Sequence, residues 1–163
     1  MLAWTTLAAA AAALAMTTGA AAQTGHAAHC SGAGRCVVTV SVAPGKPCTD
    51  PANITVSPDP VEMGAAGARS IVWRLDRGYE FCPASGDGVP FKTGNLDFQF
   101  FDAARTDNAD GDDDHGPPDR CRKNFRWKNK NEPHTAGRTY EYLLKFTGPG
   151  GQSCVKDPFI RNG

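Results

Sequence analysis

The chain has 163 residues, with 17 Lys and Arg against 17 Asp and Glu, 18 Gly, 12 Pro and 6 Cys, which bounds it to one modest domain with no net charge. Seventeen of the first 22 residues are apolar, so the remainder is only roughly a third apolar and its core must be lean. Gly and Pro make up roughly a fifth of that remainder, which favours turns and short strands and all but excludes a helical bundle.

In chain order, Leu7–Met16 is a short apolar stretch, and Ala20-Ala21-Ala22 before Gln23 offers the small-residue site that a signal peptidase accepts. Residues 1–22 are therefore expected to be a signal peptide, although MLAWTT ahead of the apolar stretch holds no Lys or Arg. No apolar run of about 18 residues follows Met16, so no membrane-spanning helix is expected in the mature chain. Residues 23–34 are small and polar and read as a flexible leader, and residues 35–163 as a single domain. Cys30, Cys36, Cys48, Cys82, Cys121 and Cys154 all follow the leader cut, in an even number and with no CxxC pair. They read as three disulfides of a secreted or periplasmic protein, with fifteen pairings open.

Cys36, Val38, Val40 and Val42 alternate with Thr39 and Ser41, the period of a half-buried strand, and Pro44-Gly45 and Pro47 end it. ITVSPDPVEM (54–63) carries two prolines, so it is expected at a sheet edge, broken at Pro58 and Pro60. In SIVWRL, Ile71, Trp73 and Leu75 share one face, which predicts a central strand with a buried tryptophan. Leu96, Phe98 and Phe100 are expected on one side of a further strand, and Tyr140, Tyr142, Leu144 and Phe146 on one side of another. Gly148-Pro149-Gly150-Gly151 turns the chain into a last strand over 154–161 with Pro158 at an edge or bulge.

This pattern predicts an all-β fold, an antiparallel Greek-key β-sandwich of about 7–8 short strands, with an acidic loop inserted near 102–119. In order and spacing, VSPDPV, IVWRL, YEYLLKF, the Gly-rich turn and DPFIRN resemble small exported bacterial proteins with cupredoxin-like or immunoglobulin-like sandwiches and no assigned activity. The resemblance spans Cys36 to Asn162. A blue-copper site would need His, Cys, His and Met close to the end of the chain, where only Cys154 stands.

The neutral total hides a dipole: through Asp119 there are 7 basic and 14 acidic residues, and after it 10 and 3. The acids concentrate in TDNADGDDDH (106–115). Aligned as an EF-hand on Gly111, this loop has Thr106 and Pro117 where acids are required, so that motif fails. A looser Ca²⁺ or transition-metal site built from Asp107, Asp110, Asp112, Asp114 and His115 is the alternative to a solvated acidic loop, and no other cofactor is expected.

In RCRKNFRWKNK (120–130), Arg122, Arg126, Lys128 and Lys130 share parity against Phe125 and Trp127. An extended strand would turn the cations outward, to hold a polyanion such as nucleic acid or an acidic envelope polysaccharide, or to be neutralised by the acidic loop. The histidines at 26, 29, 115 and 134 are scattered; His26 and His29 could share a soft metal, and Thr24-Gly25-His26 would wrap Cu²⁺ only if the cut fell after Gln23. Asn53-Ile54-Thr55 is a glycosylation sequon. With no GxSxG, GxxxxGK[ST] or HExxH motif, the reading is a non-enzymatic binding or structural module of the envelope or extracellular space, whose partner is a polyanion or another protein.

Overall fold

The computed structural model describes residues 29–30, 34–64, 66–92, 98–107 and 119–163. The expected signal peptide therefore lies outside the described residues. The described chain is mostly β, with 3-10 turns at Pro51–Asn53, Pro83–Ser85 and Pro133–Thr135. Each of these turns opens on a proline, whose missing N–H and fixed φ suit the first position of a helical turn. Among the described residues no helix is long and apolar enough to cross a membrane.

Five strands form the larger sheet. β2 (Arg35–Val42) pairs antiparallel with β3 (Ile54–Ser57) and parallel with β5 (Arg69–Leu75), which in turn pairs antiparallel with β7 (Asn124–Asn129); β6 (Phe100–Thr106) closes the far edge. The chain leaves this sheet at Pro58–Pro60, as the two prolines dictate. It places β4 (Val61–Met63) in a second sheet and returns beside β2 running the same way. That second sheet has the order β1 (His29–Cys30), β4, β11 (Phe159–Arg161), β8 (Thr139–Glu141), with β4 parallel to both neighbours. The two larger sheets are thus mixed, which corrects the antiparallel expectation, and the described residues form eleven strands where about seven or eight are expected. The extra ones are short, two or three residues, and their pairing is set by crossovers that local periodicity does not record.

The closing hairpin shows the same effect. Tyr140–Phe146 was expected as one strand and Cys154–Arg161 as another; each divides in two. β9 (Leu144–Thr147) pairs with β10 (Ser153–Lys156) in a separate two-stranded sheet, while β8 pairs with β11 in the four-stranded one. Both arms change sheet at one level, where the Tyr142 N–H donates to the Pro158 carbonyl at 3.2 Å. Proline has no N–H to continue the ladder, which explains why the break falls there. The Gly148–Gly151 turn forms as expected, with the Gly148 N–H donating to the Gln152 carbonyl at 2.8 Å.

The core lies between the five-stranded sheet and the hairpin. Val38, Trp73 and Phe125 are neighbours across β2, β5 and β7 and point inward together. Trp73 is fully buried; its indole N–H donates to the Tyr142 hydroxyl at 2.9 Å, and the two rings meet edge-on at 5.3 Å. Burial pushes the Tyr142 phenol well above its ordinary range. All six cysteines pair, as Cys30–Cys36, Cys48–Cys154 and Cys82–Cys121, the state of a chain folded in an oxidising compartment.

A second, polar core sits at the Asn129 end of β7. The Asn129 amide donates to Asn162 Oδ1 at 2.9 Å, the Asn162 amide donates to Thr135 Oγ1 at 2.8 Å, and the Asn131 N–H donates to Asn129 Oδ1 at 2.9 Å. Gln99, equally buried, donates to Glu132 Oε2 at 2.7 Å and accepts from the Glu132 N–H at 3.2 Å. This corrects the expected face of the Leu96–Phe100 segment. Leu96 lies outside the described residues, Phe98 is 76% exposed at φ 49°, and Gln99 takes the interior beside Phe100. Satisfying Gln99 within a polar network outweighs burying the ring at Phe98.

Candidate functional site

A groove of about 350 Å³ opens between the loop Gly86–Pro90 and the edge strand β6, lined by Ala103, Ala104 and Arg105 on one side and by Phe125 and Trp127 of β7. The register explains the lining. Arg105 is the cross-strand partner of Phe125, so both side chains project to the same face of the sheet at its last strand. The ladder between β6 and β7 shifts between Phe101 and Ala104, a bulge that resets which β6 side chains face inward.

The loop wall is held rigidly. Gly88 exchanges two backbone hydrogen bonds with Lys145, each 2.9 Å, and the Leu143 N–H donates to the Pro90 carbonyl at 2.8 Å. Gly88 has a φ of 153°, and a Cβ there would sit 2.9 Å from Phe125 Cε2. Only glycine lets the loop pass this close to the ring. On the floor, the Trp127 indole N–H donates to the Val89 carbonyl at 2.8 Å, which ties strand to loop. Behind it Phe91 packs on Trp127 at 5.7 Å and stacks on Phe100 at 4.1 Å, so the aromatic floor is backed by further rings.

Two charged groups border the groove. Asp87 is buried, and its carboxylate accepts from the Cys82 N–H at 2.9 Å and from the Thr147 hydroxyl at 2.7 Å. These bonds brace the loop between the Cys82–Cys121 disulfide and β9. Arg105 reaches across, one Nη2–H donating to the Asp87 backbone carbonyl, with its guanidinium carbon 5.8 Å from the Phe125 ring centre. Its Nε is buried and has no hydrogen-bond partner.

The charged residues that the sequence singled out lie elsewhere. Of the acidic loop, Asp107 ends the segment after β6 and pairs with Arg122 at 3.4 Å, whereas Asp110, Asp112, Asp114 and His115 lie outside the described residues. The basic stretch carries Phe125 and Trp127 inward on β7, but its opposite parity is not a solvated stripe. Arg122 and Arg126 are buried; Arg126 pairs with Asp102 at 3.1 Å and Lys128 pairs with the same carboxylate at 2.6 Å, while Lys130 is half-buried. The physical reason is that β7 is an interior strand, so the acids of β6 lie over its cations. The Lys128 ammonium, aided by Arg126, holds the Asp102 carboxyl below the usual carboxylate range.

Among the described residues, Glu80, Cys82 and Cys121 are close enough to ligate a metal, but both sulfurs are joined in the disulfide. His134 is exposed, 3.8 Å from Glu132, and Cys154 is bonded to Cys48. Sequence reasoning missed Arg105, Asp87 and the loop Gly86–Pro90. SGDG (85–88) carries the glycines of a turn, but FFDAART has no period that marks Arg105 as inward-facing. Comparisons with protein-family models, with curated proteins and with solved structures each return no match.

Proposed function

We propose that the chain is an exported, non-enzymatic binding module in which residues 1–22 act as the signal peptide, the β layers stack as a sandwich, and the groove over Phe125 and Trp127 holds the ligand. Its kinship with small exported sandwich proteins is part of the same proposal. Export is supported by the three disulfides, which form and persist in oxidising compartments and are rare in a reducing cytoplasm. The observation that carries the ligand site is a preformed groove of about 350 Å³ with an aromatic floor and a rigid glycine-containing wall. That size falls within the roughly 300–1,000 Å³ typical of small-molecule sites. A binding role is further supported by the use made of Asp87: its carboxylate is committed to the Cys82 N–H and the Thr147 hydroxyl, as a brace.

The reading is tested by amide and indole NMR shifts of the secreted, oxidised protein titrated with four ring compounds: benzoate, benzamide, glucuronate and methyl glucoside. Perturbations centred on Gly86, Gly88, Val89, Ala104 and the Trp127 indole N–H are expected. Shifts that are absent, or that centre on the opposite face at Val37 and Lys128, would overturn the groove as the ligand site.

A further inference from the structure

We infer that the groove recognises a ring bearing one carboxylate or sulfate, with Arg105 as the counter-charge; this rests on the groove being the ligand site. Three cations of the basic stretch have carboxylate partners: Arg122 has Asp107, and Arg126 and Lys128 share Asp102. Arg105 differs. Its contacts are a hydrogen bond to a neutral backbone carbonyl and the face of Phe125, and among the described residues no carboxylate pairs with it. A guanidinium presents its N–H donors in a fixed planar fork, and one donor on the Asp87 carbonyl orients that fork without neutralising it. Arg105 itself lines the groove, with its Nε buried and without a hydrogen-bond partner.

The acid at the same groove does not supply the missing charge partner. The Asp87 carboxylate turns to Cys82 and Thr147 on the far side of the loop, while its backbone carbonyl faces Arg105. The floor supplies the second half of the recognition. Trp127 is fixed by its bond to Val89, and Phe125 by Gly88 above and Phe81 at 5.5 Å beside it. A flat or chair-shaped ring laid on this floor would bring an anionic substituent to the fork, where charge-assisted hydrogen bonds form in a partly desolvated setting. Aromatic carboxylates and uronic-acid sugars both present that chemistry.

The experiment compares the two charged probes with their neutral counterparts on the wild type, on Arg105→Gln and on Arg105→Lys, with near-ultraviolet circular dichroism as the check of the fold. Benzoate or glucuronate is expected to bind about tenfold tighter than benzamide or methyl glucoside, and Arg105→Gln to erase that preference. Arg105→Lys should keep a reduced preference, because a point charge replaces the fork. The benzoate and glucuronate arms separate an aromatic from a sugar ligand. Equal affinity of charged and neutral probes for the wild type overturns the inference and leaves the groove standing as a site; so does an unchanged preference in Arg105→Gln. No groove shift with any probe overturns the proposed function itself. If Arg105→Gln does not fold, the wild-type comparison decides alone.

Discussion

Removing the hydroxyl that Trp73 uses is a sharp test of how the core is held. Tyr142→Phe keeps the ring and so preserves the edge-on contact at 5.3 Å, but it deletes the acceptor 2.9 Å from the indole nitrogen. Both side chains are fully buried, so water cannot replace the lost partner. A buried donor left unsatisfied costs about 1–3 kcal/mol. For a domain of this size that corresponds to a fall in melting temperature of roughly 3–10 °C. Urea unfolding with the disulfides intact, followed by far-ultraviolet circular dichroism, measures it.

Trp73→Phe alone should cost more, because volume is lost with the hydrogen bond, and the double variant should cost less than the sum of the two by about 1 kcal/mol. The same substitution has a pH signature. In the unfolded chain the phenol ionises near about 10, whereas the buried phenol is raised above that. Its contribution is complete below that unfolded value and declines as pH rises toward the folded one, so Tyr142→Phe should resist alkaline unfolding better, relative to its own stability at neutral pH, than the wild type. A Tyr142→Phe variant within about 0.5 kcal/mol of the wild type, or strict additivity in the cycle, would refute the reasoning.

The disulfides should rank by the loop each closes. Sequence separations of 106, 39 and 6 residues correspond to about 4.8, 3.9 and 2.2 kcal/mol of unfolded-chain restriction for Cys48–Cys154, Cys82–Cys121 and Cys30–Cys36. Paired Cys→Ala variants in urea titrations check this, and a larger loss at Cys30–Cys36 than at Cys48–Cys154 would contradict it. Asp102, depressed mainly by the Lys128 ammonium, stabilises the fold above the unfolded carboxyl value of about 3.9, and that contribution disappears as pH falls through its lower folded value. Because the carboxylate is 45% exposed, solvent screening limits the effect to at most about 1 kcal/mol. Asp102→Asn should therefore destabilise modestly at neutral pH and converge with the wild type in strong acid. Gly88→Ala should drive the loop against Phe125 and abolish groove shifts in the NMR titration, with the Trp127 indole signal displaced even without ligand.

What could be read from the sequence was local. β2 and β5 declare themselves through alternating Val, Ile and Trp, and the closing hairpin through its aromatic face and Gly-rich turn, because burial on one side imposes a period of two. The parallel pairing of β2 with β5 left no such trace, since it follows from where the chain travels between them. Asn129, Asn131 and Asn162 show no apolar period, and only the fold shows them to be interior hydrogen-bond partners, with buried Gln99 bonded to Glu132 beside them. Arg122 and Arg126 were legible only in part. Their parity marks a common face but not what lies over it, and Asp102 and Asp107 come from the preceding strand and its end. Arg105 was hidden by the bulge in β6, which breaks the alternation on which inference from spacing depends.

The hairpin that spends one half in each sheet acts as a bolt through both. Because Tyr142 and Pro158 mark the same crossing level on its two arms, pulling either sheet away drags the other's terminal strand with it. The two sheets it joins therefore have no independent way to come apart, and amide exchange along β8, β9, β10 and β11 should proceed through one shared opening event.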